Sequence, residues 1–285
     1  MLNIIRKISA SVRSVGLATS TISVFAAMIA GSASAVTLEE IQARGVMNIG
    51  IYTDQPPFSF IDSAGANQGY DIDLTAALAE RFGVRINYVS VTSANRISQL
   101  QTGKVDLLAM PFGVFPDRAT AVKYIAPYAS ILANVYGPVD DPLTEMSQLS
   151  GRSIALERGS SMDTDVTELA PPDTVLLRFD DASAAVQALL SGQAEFFGSF
   201  NPQFMGVEAA APGIYEAKIQ VDVSYLSYVV APDSEELAVT IGENIKGLVE
   251  DGTMETLYQK YFKTAFPFPV LPKELKGVAF AVSSE

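Results

Sequence analysis

The sequence predicts an α/β protein of two similar lobes around a cleft, and two observations carry this. Strand-like and helix-like patterns alternate along nearly the whole chain, as they do where parallel sheets are covered by helices. The two halves also rhyme. Each runs strand, glycine turn and helix, then a glycine-closed helix before an acidic strand start, at Gly103-Lys104-Val105-Asp106 and again at Gly192-Gln193-Ala194-Glu195.

Residues 1–35 read as a secretory signal peptide. Arg6, Lys7 and Arg13 give a basic start, residues 15–30 are apolar and small, and Ala33-Ser34-Ala35 is an A-x-A cleavage site. The other reading is an uncleaved membrane anchor. Thr19, Ser20, Thr21 and Ser23 within a short apolar run argue against it. Residues 36–43 form an amphipathic entry and residues 46–52 a strand, followed by a Pro56-Pro57 loop and a turn at 64–69. Asp71 is placed to cap a helix over 72–82, which Gly83 ends. A strand at 84–91 and a short helix at 95–101 lead to a buried strand that opens at Val105.

In the second half, a strand-like run at 131–135 precedes a strand at 153–156, the turn Gly159-Ser160-Ser161 and a helix to about Leu169. A strand at 175–177, a helix at 182–190, a strand at 195–197 and a loop at 198–202 follow. Another strand-like run at 225–230 leads into helices at 235–250 and 254–262. The Pro-rich tail after Phe266 is expected to lie over the surface. Residues 129–134 and 221–225 are expected to cross between lobes. The first lobe is then 36–130 plus 225–285, and the second is 131–224.

Composition narrows the function. With 32 acids against 19 Lys and Arg, the net charge of −13 repels nucleic acid. The absence of cysteine excludes disulfides, thiolate metal sites and lipid attachment through a thiol. The absence of histidine removes Ser–His and Cys–His catalysis and imidazole metal ligands. No cofactor or metal is expected. Asp71-x-Asp73 is a poor metal site and reads better as the acidic start of a helix.

The chemistry concentrates in residues 105–118. A strand, a Pro/Gly turn at 111–113 and a helix with Pro116 at its first position meet there. Free N–H groups at such a junction suit an anion. Arg118, one turn in, offers a planar fork of donors that matches a carboxylate in two-point contact. The expectation is a small carboxylate ligand held at this point. Gly159-Ser160-Ser161 reads either as an anion nest or as an ordinary helix cap. Tyr52 and Phe58 either wall a ligand or pack in a core, and Phe196, Phe197 and Phe200 read as core, with Phe200 the one that can face a cleft.

Several segments then fall into a known order: Pro57-Phe58-Ser59-Phe60, Gly69-Tyr70-Asp71-Ile72-Asp73-Leu74, Thr92-Ser93-Ala94-Asn95-Arg96, Leu100-Gln101-Thr102-Gly103-Lys104-Val105-Asp106-Leu107, Pro116-Asp117-Arg118, Arg158-Gly159-Ser160-Ser161 and Asp251-Gly252-Thr253. Over residues 45–263 this pattern resembles the periplasmic solute-binding proteins of family 3, which feed amino acids to ABC importers. The resemblance implies a two-lobed type II periplasmic-binding-protein fold with two hinge crossings. It also implies a periplasmic monomer, an inner-membrane ABC permease as partner, and an amino acid or related small carboxylate as ligand. The T-S-x-N-R segment looks most like the branch that binds glutamate, aspartate or related polar amino acids.

By the same resemblance, Arg118 grips the ligand α-carboxylate, and Ser93 and the Gly159–Ser160–Ser161 turn add donors. Arg96 meets a second carboxylate or, on the residues alone, pairs with Asp106. The sequence departs from the pattern in three places. Phe115 stands where a threonine cap is usual, and Gly113 where a hydroxyl donor is frequent. Ser199-Phe200-Asn201 lacks the aspartate that meets the ligand ammonium. Asn201 offers one uncharged acceptor, and Asp163 and Glu157 are acids that can substitute. The ligand is then an unusual amino acid or a carboxylate with no α-amino group. Two alternatives stay open: a catalytic variant resembling cyclohexadienyl dehydratase, with Glu157 or Asp163 as acid, and a ligand-presenting partner of a signalling receptor.

Overall fold

The computed structural model describes residues 35–284, so the signal peptide expected at 1–35 lies outside them apart from Ala35. The Thr37 side chain accepts from the Glu40 N–H and opens α1 (Leu38–Arg44), which ends at a left-handed Gly45. Then come β1 (Val46–Ile51), β2 (Asp54–Gln55), β3 (Ser59–Ile61) and β4 (Asn67–Gln68). The last three form a small antiparallel sheet where the sequence reads only as loop and turn. Gly69 enters the next helix at φ 128, and a Cβ there would run into the Phe58 carbonyl, so only glycine fits.

The chain continues through α2 (Tyr70–Phe82), β5 (Arg85–Ser90), α3 (Arg96–Gln101), β6 (Leu107–Leu108) and β7 (Lys123–Pro138). It then forms β8 (Ser153–Glu157), α4 (Ser161–Leu169), β9 (Val175–Phe179), α5 (Ala182–Leu190), β10 (Phe196–Phe200), α6 (Asn201–Ala210) and β11 (Tyr215–Val230). It closes with α7 (Glu235–Glu250), α8 (Thr253–Phe262), β12 (Glu274–Leu275) and β13 (Val278–Ala279).

One eight-stranded sheet runs in the order β5-β1-β6-β11-β7-β10-β8-β9. Its two ends repeat one plan. In β5-β1-β6 and in β9-β8-β10 the first strand of each trio is central and its neighbours are parallel to it. This is the rhyme of the two halves seen in three dimensions. Between the trios lie β7 and β11, antiparallel and sixteen residues each, with several register shifts. The stretches expected to cross between lobes are the middles of these two strands, where Ile131 pairs with Ser224 and Ala133 with Asp222.

Burial divides on the same line. Ile49, Leu74 and Ile241 belong to one apolar cluster, while Ile154, Leu156 and Phe196 belong to another. Phe200 packs against both. The architecture is the two-lobed α/β fold that alternation predicts.

Four expectations need correction. Asp71 does not cap α2. Its carboxyl is fully buried and accepts from the Tyr228 hydroxyl at 2.9 Å, and Gly69 holds the cap position. The segment from Pro116 to Thr120 is a five-residue 3-10 turn, too short to build a helix dipole. Residues 198–202 do not form a loop: β10 runs straight into α6, whose Phe204 ring stacks on Tyr136 at 4.1 Å. The C-terminal tail does more than lie over the surface. It buries Phe266, Leu271, Val278 and Val282, and the Ala281 N–H donates to the Tyr124 carbonyl.

Candidate functional site

A narrow crevice opens between the two halves of the sheet. From the first half it is lined by Tyr52, Gln55, Ser93, Arg96, Gly113 and Arg118. From the second come Glu157, Ser160, Ser161 and Phe200, and from the crossing strands Ile131, Ser224 and Leu226. These side chains arrive from strand ends and from the turns that follow them, the position where open α/β sheets gather ligand contacts.

Two guanidiniums face each other's field here. Arg96 is only 3% exposed. It donates to the Ser93 hydroxyl at 2.8 Å, to the Tyr52 hydroxyl and to the Gly159 carbonyl at 3.5 Å. Its Nε has no partner. Arg118 is half-buried, and burial, aided by the nearby Arg96 charge, pulls its pKa below the usual arginine value. The Phe112 ring serves both, with Arg96 4.7 Å and Arg118 5.7 Å from its centroid. Phe115 adds a second face under Arg118 at 4.9 Å. Among the described residues, neither arginine has a carboxylate within salt-bridge distance.

The alternative reading of Arg96 as the partner of Asp106 is excluded, because Asp106 is paired with Arg44 and accepts from the Asn48 N–H. Part of the backbone at the 111–118 turn is already engaged. The Val114 N–H donates to the Tyr225 carbonyl and the Phe115 N–H to the Tyr124 hydroxyl, while Gly113 and the Arg118 guanidinium border the crevice.

The remaining expected residues divide. Tyr52 lines the crevice; its hydroxyl lies 2.5 Å from Ser93 Oγ, and burial pushes its pKa up to about 12. The Ser160 hydroxyl accepts from the Asp163 N–H and so caps α4, while both Ser160 and Ser161 still border the crevice. Gly159 adopts φ +73 and lies against Ser93 and Ala94 of the opposite half.

Three expectations fail on position. Phe58 is fully buried among Tyr70, Tyr128 and Phe262 and does not wall the crevice. Asn201 turns back to accept from the Leu132 N–H at 2.8 Å. Asp163 accepts from the Gly159 N–H with one oxygen and from Arg178 with the other, so it braces the turn from behind.

Sequence reasoning missed Gln55 and Ser224 and left Glu157 as one option among several. Glu157 is 8% exposed, and its carboxyl is pushed up to about 7, mainly by burial. Ser224 is 2% exposed with an unpartnered hydroxyl beside Gly113; a Cβ added to that glycine would lie 3.2 Å from Ser224 Oγ. No motif marks Ser224. Only strand pairing with Ile131 brings it to the crevice.

Several known proteins are similar to this chain. The ABC transporter glutamine-binding protein GlnH of Bacillus subtilis is 25% identical over 234 residues, covering 80% of this chain and 85% of its own. The L-arginine-binding protein of Pseudomonas aeruginosa is 24% identical, covering 80% and 92%. Among solved structures, a solute receptor for L-cysteine from Neisseria gonorrhoeae superposes with a TM-score of 0.76 at 27% identity, covering 83% of this chain and all of that one. An ancestral amino-acid-binding protein, a precursor of cyclohexadienyl dehydratase, gives a TM-score of 0.71 at 27% identity, covering 79% and 99%. The family model for bacterial extracellular solute-binding proteins, family 3, matches residues 47–264. With most of its length matched, this chain belongs to the bacterial extracellular solute-binding proteins of family 3.

Proposed function

We propose that this chain is the periplasmic substrate-binding component of an ABC importer for an amino acid or related small carboxylate. The family and the transport roles of the named relatives support the coarse reading. The observation that carries the finer one is the pair Arg96 and Arg118, both lining the crevice and, among the described residues, neither with a carboxylate within salt-bridge distance. A bound carboxylate supplies that charge through Arg118, in a space where water no longer screens it.

Two lobes, residues 36–130 with 225–285 and residues 131–224, close over the ligand by flexing at 129–134 and 221–225. The closed form is what the permease recognises. Contacts that join the halves support this. Gln55 reaches Glu157, the Ser183 N–H donates to Asp54 at 3.1 Å, and Arg96 reaches the Gly159 carbonyl. Among the described residues no helix is long and apolar enough to cross a membrane.

The test is calorimetric titration of amino acids and small carboxylates into wild type and Arg118→Ala. Binding is abolished in the variant while its melting temperature stays within a few degrees of wild type. Unchanged affinity removes Arg118 from the site. A second reading, catalysis on the same scaffold, has one observation in its favour: a buried glutamate with a pKa near 7. Product released from prephenate or arogenate would displace the binding reading; a stoichiometric thermal shift without turnover supports it.

A further inference from the structure

We infer that the C-terminal hairpin, β12 and β13 with Lys276 at its tip, braces the joint between the two halves and favours their closed arrangement. This builds on the lobe closure proposed above, with residues 221–225 as one of the flexing segments.

The tail that carries the hairpin is anchored in the first half. Phe266 and Leu271 join the apolar cluster of Ile49, Leu74 and Ile241. The Phe266 N–H donates to Glu255 of α8 at 2.8 Å, and the Ala281 and Val282 N–H groups donate to the Tyr124 and Ile125 carbonyls near the start of β7. Val282 packs so closely on α7 that a Cβ added at Gly242 would lie 2.6 Å from its Cγ2. The family match ends at residue 264, so this anchorage belongs to an extension beyond it.

The hairpin turn presents one side chain. Glu274 pairs with Ala279 and Leu275 with Val278, which leaves Lys276 and Gly277 as a two-residue turn. Both have positive φ, 51 at Lys276 and 76 at Gly277, as in a type I′ hairpin. The first turn position favours Asn, Asp or Gly. A lysine held there is strained, which points to a use for its side chain.

From this tip Lys276 forms an ion pair with Asp222, and its ammonium lies 5.7 Å from the ring centroids of both Phe115 and Tyr225. Asp222 pairs with Ala133 in the crossing strands, inside the stretch assigned to the second lobe and beside a register shift in the ladder. The ion pair therefore ties an extension rooted in the first half to the far side of the joint. Phe115 is also the ring under Arg118, and Tyr225 meets Phe268 of the tail edge-on at 6.1 Å. Asp165, on α4 of the second half, faces the same group of charges. It is half-buried; burial and the Asp222 charge raise its pKa, while Arg118 and Lys276 attract its charged form. Two acids on the second-half side thus face two cations on the first. Removing the Lys276 charge leaves them one, and the closed arrangement loses attraction across the joint.

The experiment uses the full-length mature chain without ligand. It has no cysteine, so exposed Glu80→Cys on α2 and Gln193→Cys beyond α5 take spin labels, one in each half. Double electron–electron resonance then reads the separation of the halves, and wild type is expected to show two populations. Lys276→Met keeps the stem and removes the charge, Lys276→Arg keeps the charge, and Asp222→Asn removes the other partner. Both members of the pair are about one-third exposed, so losing it raises the ratio of open to closed molecules by about twofold to fivefold. Lys276→Arg restores the wild-type ratio, and the Lys276→Met, Asp222→Asn double variant opens no further than the single ones. Two populations that Lys276→Met leaves unchanged, or additive opening by the two substitutions, overturn the brace alone. A single separation in every variant overturns the closure beneath it as well.

Discussion

Gln55 and Glu157, 102 positions apart in sequence, meet across the crevice through a 3.2 Å hydrogen bond between two buried side chains. The bond exists only when the halves are together, so it favours the closed arrangement over the open one. Gln55→Ala is expected to weaken ligand binding by about fivefold, the worth of one net hydrogen bond of about 1 kcal/mol. Small-angle scattering of the ligand-free variant is expected to show a larger radius of gyration than wild type. Identical scattering and affinity would deny the bond any part in closure.

Asp71 gives a pH prediction. Burial raises its carboxyl from 3.8 to about 8. The folded chain therefore holds this proton more tightly than the unfolded chain does. The stabilisation is full below about pH 4 and is lost as the pH climbs through 8. Glu157 acts in the same direction between 4.5 and about 7. Asp71→Asn keeps an acceptor for the Tyr228 hydroxyl and cannot ionise. Its melting temperature is expected to match wild type near pH 4 and exceed it by several degrees at pH 9. Parallel melting curves for the two proteins across that range would count against it.

Ser224→Ala separates stability from binding. The hydroxyl is buried and unpartnered, so its loss is neutral or slightly stabilising in the ligand-free protein. If the hydroxyl bonds the ligand, affinity falls by about fivefold. The expected result is an unchanged melting temperature without ligand and a smaller ligand-induced rise. A variant that melts earlier and binds normally would make Ser224 a structural residue.

Gly69→Ala tests a backbone requirement. The residue sits at φ 128 and its missing side chain makes room for the Phe58 carbonyl. Alanine is expected to cost about 2–4 kcal/mol in chemical denaturation, from backbone strain plus the displaced Phe58–Tyr70 packing. Gly103→Ala, where open space surrounds the added Cβ at φ +68, is expected to cost about 1 kcal/mol.

Much of the fold was legible because local signals agreed with the global plan. The helix at 182–190 coincides with α5, whose Asp181 side chain accepts from the Ala184 N–H. The helix α6 was hidden because Asn201-Pro202 reads as a breaker, although proline is harmless in a first turn. The full length of β7 was hidden for a similar reason, with Pro127 inside it. At the site, Arg118, Arg96 and Ser93 were readable because they lie on a recognisable local pattern. Glu157 could be named only as one of two candidate acids and Ser224 not at all, because their places come from what the sheet sets opposite them. Phe58 misled because an aromatic beside a loop looks the same in sequence whether it faces a crevice or a core.

The two long strands β7 and β11 contribute Ile131, Ser224 and Leu226 to the wall of the crevice from the same short span that joins one half to the other. On the proposed lobe closure, the segment that flexes is therefore also part of the wall that a ligand would meet. A guest slightly too bulky at that floor would bend the joint itself, and the protein's posture would report the shape of what it carries before any side chain at the rim had moved.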